Sequence, residues 1–253
     1  MAGRDEILGF CDELLEIDSY EDYGPNGLQV PGTEEVSRVA TGVTANAQML
    51  EAAVEGGAEL ICVHHGLLWG GELEPLSVPM VSRLRTVLCA GASLAAYHLP
   101  LDAHPEIGNN ALLRERLGLE PDETPFGEAK GRRIGKVGRA SSPLSIAELT
   151  ERVRDATGRD PLVFESGPER IESVGIVTGG GGFAIHEAGT IGLDALVIGE
   201  PSEPVMGESR EYGVHLLAAG HYATETFGIR RLGELVAERF GIEREFVDVP
   251  NPI

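Results

Sequence analysis

The stretch Leu60-Ile61-Cys62-Val63-His64-His65-Gly66 is a short apolar run that stops at two adjacent histidines and a glycine. An unbroken apolar run of this length is what a strand buried on both faces needs. Two other stretches end in the same way. Ala95-Ala96-Tyr97 runs into His98-Leu99-Pro100-Leu101-Asp102, and Leu216-Leu217-Ala218-Ala219-Gly220 runs into His221, with Glu225 four residues on. Open α/β sheets collect their ligands beyond the C-terminal ends of strands. Three strand-like segments that end in metal-ligand residue types therefore point to one site assembled from distant parts of the chain.

Working outward, strands and helices alternate with short connections, the pattern of an α/β protein with a mostly parallel sheet. Apolar positions Ile7, Leu8, Cys11, Leu14 and Leu15 have helical spacing. Strands are expected at 28–30, 36–44, 60–63 and 93–97, with helices at 46–55, 78–89 and 109–117. From Leu119 to Gly131 the pattern lapses into Pro, Glu, Asp and Gly, and a domain boundary is expected there. A second α/β unit begins with a strand at 133–139 and a helix opened by the capping box Ser145-Ile146-Ala147-Glu148. Strands at 162–164, 174–178, 195–198 and 215–219 follow, alternating with helices at 183–189 and 204–212. A long helix, 224–240, and a strand at 245–249 close the chain. If the His221 segment is to meet His64 and Asp102, the chain must return to its first lobe near Gly220. The expected fold is thus a two-lobed α/β protein with mostly parallel or mixed sheets flanked by helices. A metal-binding lobe is formed by 1–125 plus 220–253, and the lobe 126–219 is inserted into it.

Composition narrows the class. The chain has 253 residues, enough for a sizeable core. It carries 41 acidic against 20 basic residues, a net charge of −21, and its only lysines are Lys130 and Lys136. Near molar salt the Debye length falls to about 3 Å, so a carboxylate-dense surface is screened from its own repulsion and stays hydrated. A halophilic cytoplasm is the expected setting. The same charge argues against wrapping a nucleic-acid backbone. No apolar segment approaches the roughly 20 residues that span a bilayer, and the charged start, Met1 to Glu6, is unlike a signal peptide. Cys11, Cys62 and Cys89 show no CxxC spacing and are expected to be reduced core residues.

The ligand candidates differ in what each can do. Neighbouring residues of a regular strand point to opposite faces, but where a strand ends, with Gly66 easing the exit, His64 and His65 can face one cleft. Asp102 can bind or bridge ions without first losing a proton at neutral pH. His98 is placed to orient a ligand or hold a substrate group. His221 and Glu225 share a face if a helix has begun at His221. If it begins at Thr224, Glu225 sits in the first turn, favoured there by the helix dipole. Histidines with carboxylates and no thiolate suit zinc, manganese, iron or nickel, and five ligands suit two ions that share a carboxylate. The glycine run Gly179-Gly180-Gly181-Gly182 either cradles an anion or makes a tight turn. His186 suits packing or substrate contact, and His104 and His215 suit structural or surface roles.

Four motifs occur in order: Tyr23-Gly24-Pro25-Asn26-Gly27-Leu28-Gln29-Val30, Val63-His64-His65-Gly66-Leu67-Leu68-Trp69, Tyr97-His98-Leu99-Pro100-Leu101-Asp102 and Gly220-His221-Tyr222-Ala223-Thr224-Glu225. The set resembles the GTP cyclohydrolase 1 type 2 family, the NGG-interacting-factor-like, hexameric dinuclear metal-centre proteins, over essentially the whole chain. The resemblance implies two divalent ions per subunit held by His64, His65, Asp102, His221 and Glu225, with Glu225 bridging. It implies a toroidal homohexamer and a metal-dependent hydrolase that acts on a nucleotide such as GTP; in such a hydrolase Glu225 and His98 are the expected catalytic residues. The alternative is a non-catalytic divalent-metal-binding or assembly protein. Gly66 and Leu99 stand where the family often has other residues, which leaves the ligands in place but loosens any inference about substrate fit.

Overall fold

In the computed structural model, which describes residues 1–70 and 75–253, the opening apolar run is the strand Leu60–His65. It is two residues longer than its apolar pattern and takes in both histidines. It lies at the middle of a five-stranded sheet with the order Glu243–Phe246, Arg38–Thr44, Leu60–His65, Ser93–Ala96, Gly27–Val30. Neighbours are parallel except Gly27–Val30, which runs antiparallel to Ser93–Ala96. A central strand with covered faces has no solvent side, hence Leu60–Val63 without polar alternation.

The chain divides into two units, Met1–Leu101 with Gly228–Val249, and Asp102–Phe227 with Pro250–Ile253. The five-stranded sheet belongs to the first. Two of its helices begin at side-chain caps that satisfy otherwise orphaned N–H groups. Asn46 accepts from the Met49 N–H before Ala47–Glu55, and Ser77 from that of Met80 before Val78–Ala90. Leu50, Ile61, Val63, Val87 and Leu94 pack together in its core. The helix Arg4–Leu15 buries Ile7, Leu8, Cys11 and Leu15, the face that its spacing predicts.

The second unit holds a six-stranded mixed sheet: Leu162–Phe164, His215–Ala218, Ala195–Ile198, Ile171–Val177, Lys136–Leu144, Glu120–Asp122. The middle strands His215–Ala218, Ala195–Ile198 and Ile171–Val177 are parallel, and the outer pairings are antiparallel. The capping box forms as the sequence indicates, with Ser145 and Glu148 satisfying each other's backbone N–H groups ahead of Ile146–Thr157. Leu113, Leu149, Ile176, Val197 and Leu217 share its core.

Several elements differ from expectation. The stretch 119–131, expected as a boundary, contributes the strand Glu120–Asp122 to the second sheet and half of a small hairpin, Glu128–Ala129 with Arg132–Arg133. Leu117 and Leu119 sit in the second unit's core, which outweighs the Pro and Gly content. The two units change over at Leu101/Asp102 and Phe227/Gly228. A short helix, Leu99–Ala103, follows the strand Ser93–Ala96, where the sequence pattern predicts none. Proline is tolerated in a helix's first turn, where its N–H has no partner to lose. Cys11 and Cys62 are buried, but Cys89 is exposed on Val78–Ala90, a helix whose only fully buried residue is Val87. No helix among the described residues is long and apolar enough to cross a membrane.

Asp122 ties the added edge strand to its neighbour. Its Oδ1 accepts from Thr124 N and Oγ1, and its Oδ2 from Arg139 Nε at 2.7 Å. These bonds, those from Thr124 first, lower its pKa from 3.8 to about 2. A depressed carboxyl pKa contributes stability above the unfolded value that is lost as pH falls through the folded one. Asp122→Asn is therefore expected to lower the urea midpoint at neutral pH, with the gap to the parent closing as pH drops from 3.8 to about 2. A gap that stays constant with pH would show that the charge contributes nothing.

Candidate metal centre

In the Met1–Leu101 unit, three imidazoles gather at the C-terminal ends of adjacent strands. His64 and His65 end Leu60–His65, and His98 lies just past Ser93–Ala96. Ring centroids are 4.7 Å apart for His64–His65, 5.0 Å for His64–His98 and 5.6 Å for His65–His98. One nitrogen from each of the three lies within 4.8 Å of the others. At Gly66 the chain leaves the sheet against the Gln29 amide. A Cβ there would come within 2.4 Å of it, so a side chain at this exit would require the Gln29 amide to shift. Gln29 Oε1 in turn accepts from Leu67 N at 2.8 Å.

Partners on the far side of each ring set which nitrogen is available. His64 is fully buried, and its Nδ1 lies 2.8 Å from the Tyr97 carbonyl. A carbonyl only accepts, so Nδ1 carries the proton and Nε2 keeps its lone pair. His65 Nδ1 shares a hydrogen bond with Thr44 Oγ1 at 3.0 Å. His98 Nδ1 donates to Asp22 Oδ1 at 2.7 Å. Asp22 also accepts from Asn26 Nδ2 and Leu99 N, while Asn26 Oδ1 accepts from His98 N. Burial pushes the Asp22 carboxyl up, but the hydrogen bond and charge of His98, with the Asn26 and Tyr23 donors, leave it below its ordinary value. A ring N–H held by a carbonyl or carboxylate is the usual backing of a metal-binding histidine. Asp22 and Asn26 were not singled out from the sequence. They fall in an Asp, Gly, Pro and Asn loop whose composition marks a turn without marking a function.

The Asp102–Phe227 unit collects its candidates around Thr178–Gly179, just past the strand Ile171–Val177. Asp102 is buried. Its Oδ1 accepts from Asn109 Nδ2 at 2.8 Å and from Thr178 Oγ1 at 3.4 Å. Asn110 ties the same corner together, donating to the carbonyls of Asp102 and Ile134 and accepting from Thr178 N. Of the two placements open to His221 and Glu225, the structure adopts the one in which a helix has already begun at His221. His221–Thr224 is a single short helix, Glu225 is its C-cap, and Thr226–Phe240 starts afresh. The i, i+4 geometry survives, with His221 Nε2 at 3.1 Å from Glu225 Oε2. Its Nδ1 lies 3.1 Å from Glu200 Oε1, a second carboxylate that the sequence did not flag. Burial would lower the His221 pKa, but Glu225 and then Glu200 overcome it and raise it from 6.5 to about 9.

The glycine run proves to be a matter of space. Gly179 has φ +62°, and a Cβ there would lie 2.1 Å from Glu225 Oε1 and 3.2 Å from His221 Nε2. Its N–H goes to Thr224 Oγ1 at 3.2 Å and its carbonyl accepts from Glu200 N at 2.9 Å. This is a tight turn against two candidate ligands. Other histidines have structural partners. His215 accepts from Gly167 N and donates to Pro168 O, His104 accepts from Glu106 N and Ile107 N, and His186 pairs with the Tyr212 hydroxyl.

Nitrogen and carboxylate donors without thiolate, and a backbone cradle that a methyl group would fill, fit a divalent ion of the borderline class. The whole chain, moreover, has relatives. The Duf34/NIF3 (NGG1p interacting factor 3) family matches residues 2–252. The chain belongs to that family. A relative in Deinococcus radiodurans, named GTP cyclohydrolase 1 type 2 homolog, is 43% identical over 98% of this chain and 94% of its own length. An Escherichia coli K12 protein of the same name is 41% identical over 98% of both chains. The solved structure of protein ybgI, described as of unknown function, superimposes with a TM-score of 0.93 at 40% identity over 100% of both chains.

In this Duf34/NIF3 chain, Gly179→Ala is expected to damage the site before the fold. Left-handed backbone with a Cβ costs about 1–2 kcal/mol, and the added methyl displaces Glu225. Metal content measured by elemental analysis should fall while the far-ultraviolet spectrum is retained. Unchanged metal content would mean that Glu225 yields without consequence.

Proposed function

We propose that the chain is a two-metal hydrolase acting on a nucleotide such as GTP. His64, His65, Asp102, His221 and Glu225 are the proposed ligands, with Glu225 bridging. One observation carries the reading: each unit by itself gathers ligand-type side chains at strand C-terminal ends and fixes them from behind, as Tyr97 O does for His64 and Asn109 for Asp102. The GTP cyclohydrolase 1 type 2 name of the relatives supports the substrate class. Zinc, manganese, iron and nickel all match the donor set.

When bound, two divalent ions supply acidified water and offset negative charge that develops on the substrate. The rest falls to the chain. His98, with its Nδ1–H held by Asp22, has Nε2 directed to proton transfer, taking a proton from the attacking water and returning it to the departing nitrogen. Glu225 and Asp102 hold negative charge in a buried setting, where it acts more strongly than in water. On GTP two waters are consumed: one opens the guanine five-membered ring at one C8–N bond, leaving a formyl group on the other nitrogen, and the second hydrolyses that remaining C8–N bond, with formate released. We read the working protein as a cytoplasmic homohexamer adapted to salt. Val78, Val81 and Leu88 lie exposed on a helix without a single acidic residue, which suits self-association in an otherwise acidic protein.

Two ions per chain are expected by elemental analysis, and Glu225→Ala should lose at least one; a variant that keeps both removes the bridge. Metal-loaded protein incubated with GTP in molar KCl should release formate. His98→Ala should slow release by about 10²–10⁴-fold at unchanged metal content. No formate with any of the four metals would favour a metal-binding or assembly protein, or another substrate. In molar KCl the chain should sediment as six copies, and its melting temperature should drop on transfer to dilute buffer. Equal stability in both would count against salt adaptation.

A further inference from the structure

Two large aromatic side chains stand against the histidine group of the Met1–Leu101 unit without being buried by it. Trp69 is 47% exposed and Tyr23 is 50% exposed. The Trp69 ring centroid lies 5.2 Å from that of His98 and 5.9 Å from that of His65. The Tyr23 ring lies 6.0 Å from His98. Both rings meet His98 edge to face, with interplanar angles of 84° for Trp69 and 68° for Tyr23. Aromatic pairs favour that arrangement, and here it leaves close to half of each residue open to water.

The rings are exposed on segments that the fold pins down. Trp69 Nε1 donates to the Gly66 carbonyl at 2.9 Å, which fixes the indole to the turn that follows His65. Gly70 N donates to the Tyr23 carbonyl at 2.7 Å and so joins the two loops. Gly24 backs onto the same segment: a Cβ there would lie 2.4 Å from Leu68 O, a backbone atom that cannot swing aside. Tyr23 N donates to Asp22 Oδ1 at 2.6 Å, the oxygen that also takes the His98 Nδ1–H at 2.7 Å. One carboxylate therefore places both the imidazole and the segment that carries the tyrosine. Ring surface held open in a fixed position forgoes its own burial, and it spares a ligand the cost of ordering its site.

We propose that Trp69 and Tyr23 form a binding subsite for a flat unsaturated ring, gripped by its faces and not read at its edges. An aromatic face offers contact to any flat ring and carries no pattern of donors and acceptors. The subsite thus leaves the identity of the ring unselected and refuses a bare sugar. Both residues adjoin His98, so a ring held here is presented to that histidine. The presentation rests on the hydrolase reading above; the binding does not.

Trp69 is the only tryptophan in the chain, so its emission reports on this place alone. The full chain is titrated with adenosine, guanosine and ribose, with and without chelator. Both nucleosides are expected to quench Trp69 and to shield it from acrylamide, and ribose to do neither. Their affinities should fall within about tenfold of each other, since stacking reads no edge. By calorimetry, Trp69→Ala and Tyr23→Ala should each weaken adenosine by about tenfold, the scale of a lost base–aromatic contact. Trp69→Phe and Tyr23→Phe, which keep a ring, should retain most of the affinity. Melting temperatures equal to the parent's, as expected at half-exposed positions, establish that the variants are folded. Nucleosides that leave Trp69 unquenched, ribose that matches them, or affinity untouched by both alanine variants would overturn the proposal. Shielding that grows with protein concentration in the absence of ligand would overturn it too, by showing that a second copy covers the rings. Quenching by nucleosides without metal uptake or formate release would refute the hydrolase reading and leave the subsite standing. Formate release whose KM ignores both alanine variants would do the reverse.

Discussion

The hydrogen bond from His64 Nδ1 to the Tyr97 carbonyl, at 2.8 Å, is the contact on which the first unit's histidine group depends. Tyr97 is held at three points. Its N–H extends the sheet ladder to Val63 O at 2.9 Å, its carbonyl takes the imidazole proton, and its hydroxyl donates to Asp12 Oδ1 at 2.9 Å. The ring is fully buried. One tyrosine therefore links the helix Arg4–Leu15, the central strand and the tautomer of a candidate ligand. Burial raises the Asp12 carboxyl and pushes the Tyr97 hydroxyl well above its usual range, so the phenol stays the donor of this pair. Losing that anchor would free the His64 ring to turn, whatever became of its own side chain.

What the sequence makes legible follows from how strongly each signal is tied to burial. The runs Leu60–Val63 and Ala195–Ile198 are apolar because they are covered on both faces, and both fall in the middle of their sheets as parallel strands. The helices opened by Asn46 and Ser145 are declared by caps that act within four residues. Edge elements carry no such mark. Glu120–Asp122 reads as a linker because one proline and two acids dominate three residues, and only its pairing with Lys136–Leu144 makes it a strand. Unit boundaries inherit the same ambiguity, since they depend on where Leu117 and Leu119 pack rather than on what surrounds them.

The candidate site divides in the same way. Histidines and carboxylates at strand ends are visible because residue type announces chemistry. Their supports are not. Asp22, Asn26, Asn109 and Glu200 are ordinary polar residues until hydrogen bonds from distant segments give them a task. Gly179 is the instructive case. A run of four glycines suggests a phosphate cradle or a turn with equal force, and the choice is made by Glu225, far along the chain, whose oxygen occupies the space a side chain would need.

Charge in this protein is settled on two different scales. A net −21 is a property of the surface, where a Debye length of about 3 Å near molar salt screens one carboxylate from the next. Asp102 and Glu225 are only 4% and 3% exposed, and mobile ions screen buried groups far less. Their charges must be compensated by neighbours. Asp102 is met by neutral donors from Asn109 and Thr178, and Glu225 by the imidazole of His221, whose pKa of about 9 keeps it cationic at neutral pH. Glu200 adds a further negative group to the same imidazole. Such a corner, acidic beyond what one imidazolium cancels, attracts cations by its own construction, and added salt leaves that attraction largely in place while it quiets the surface.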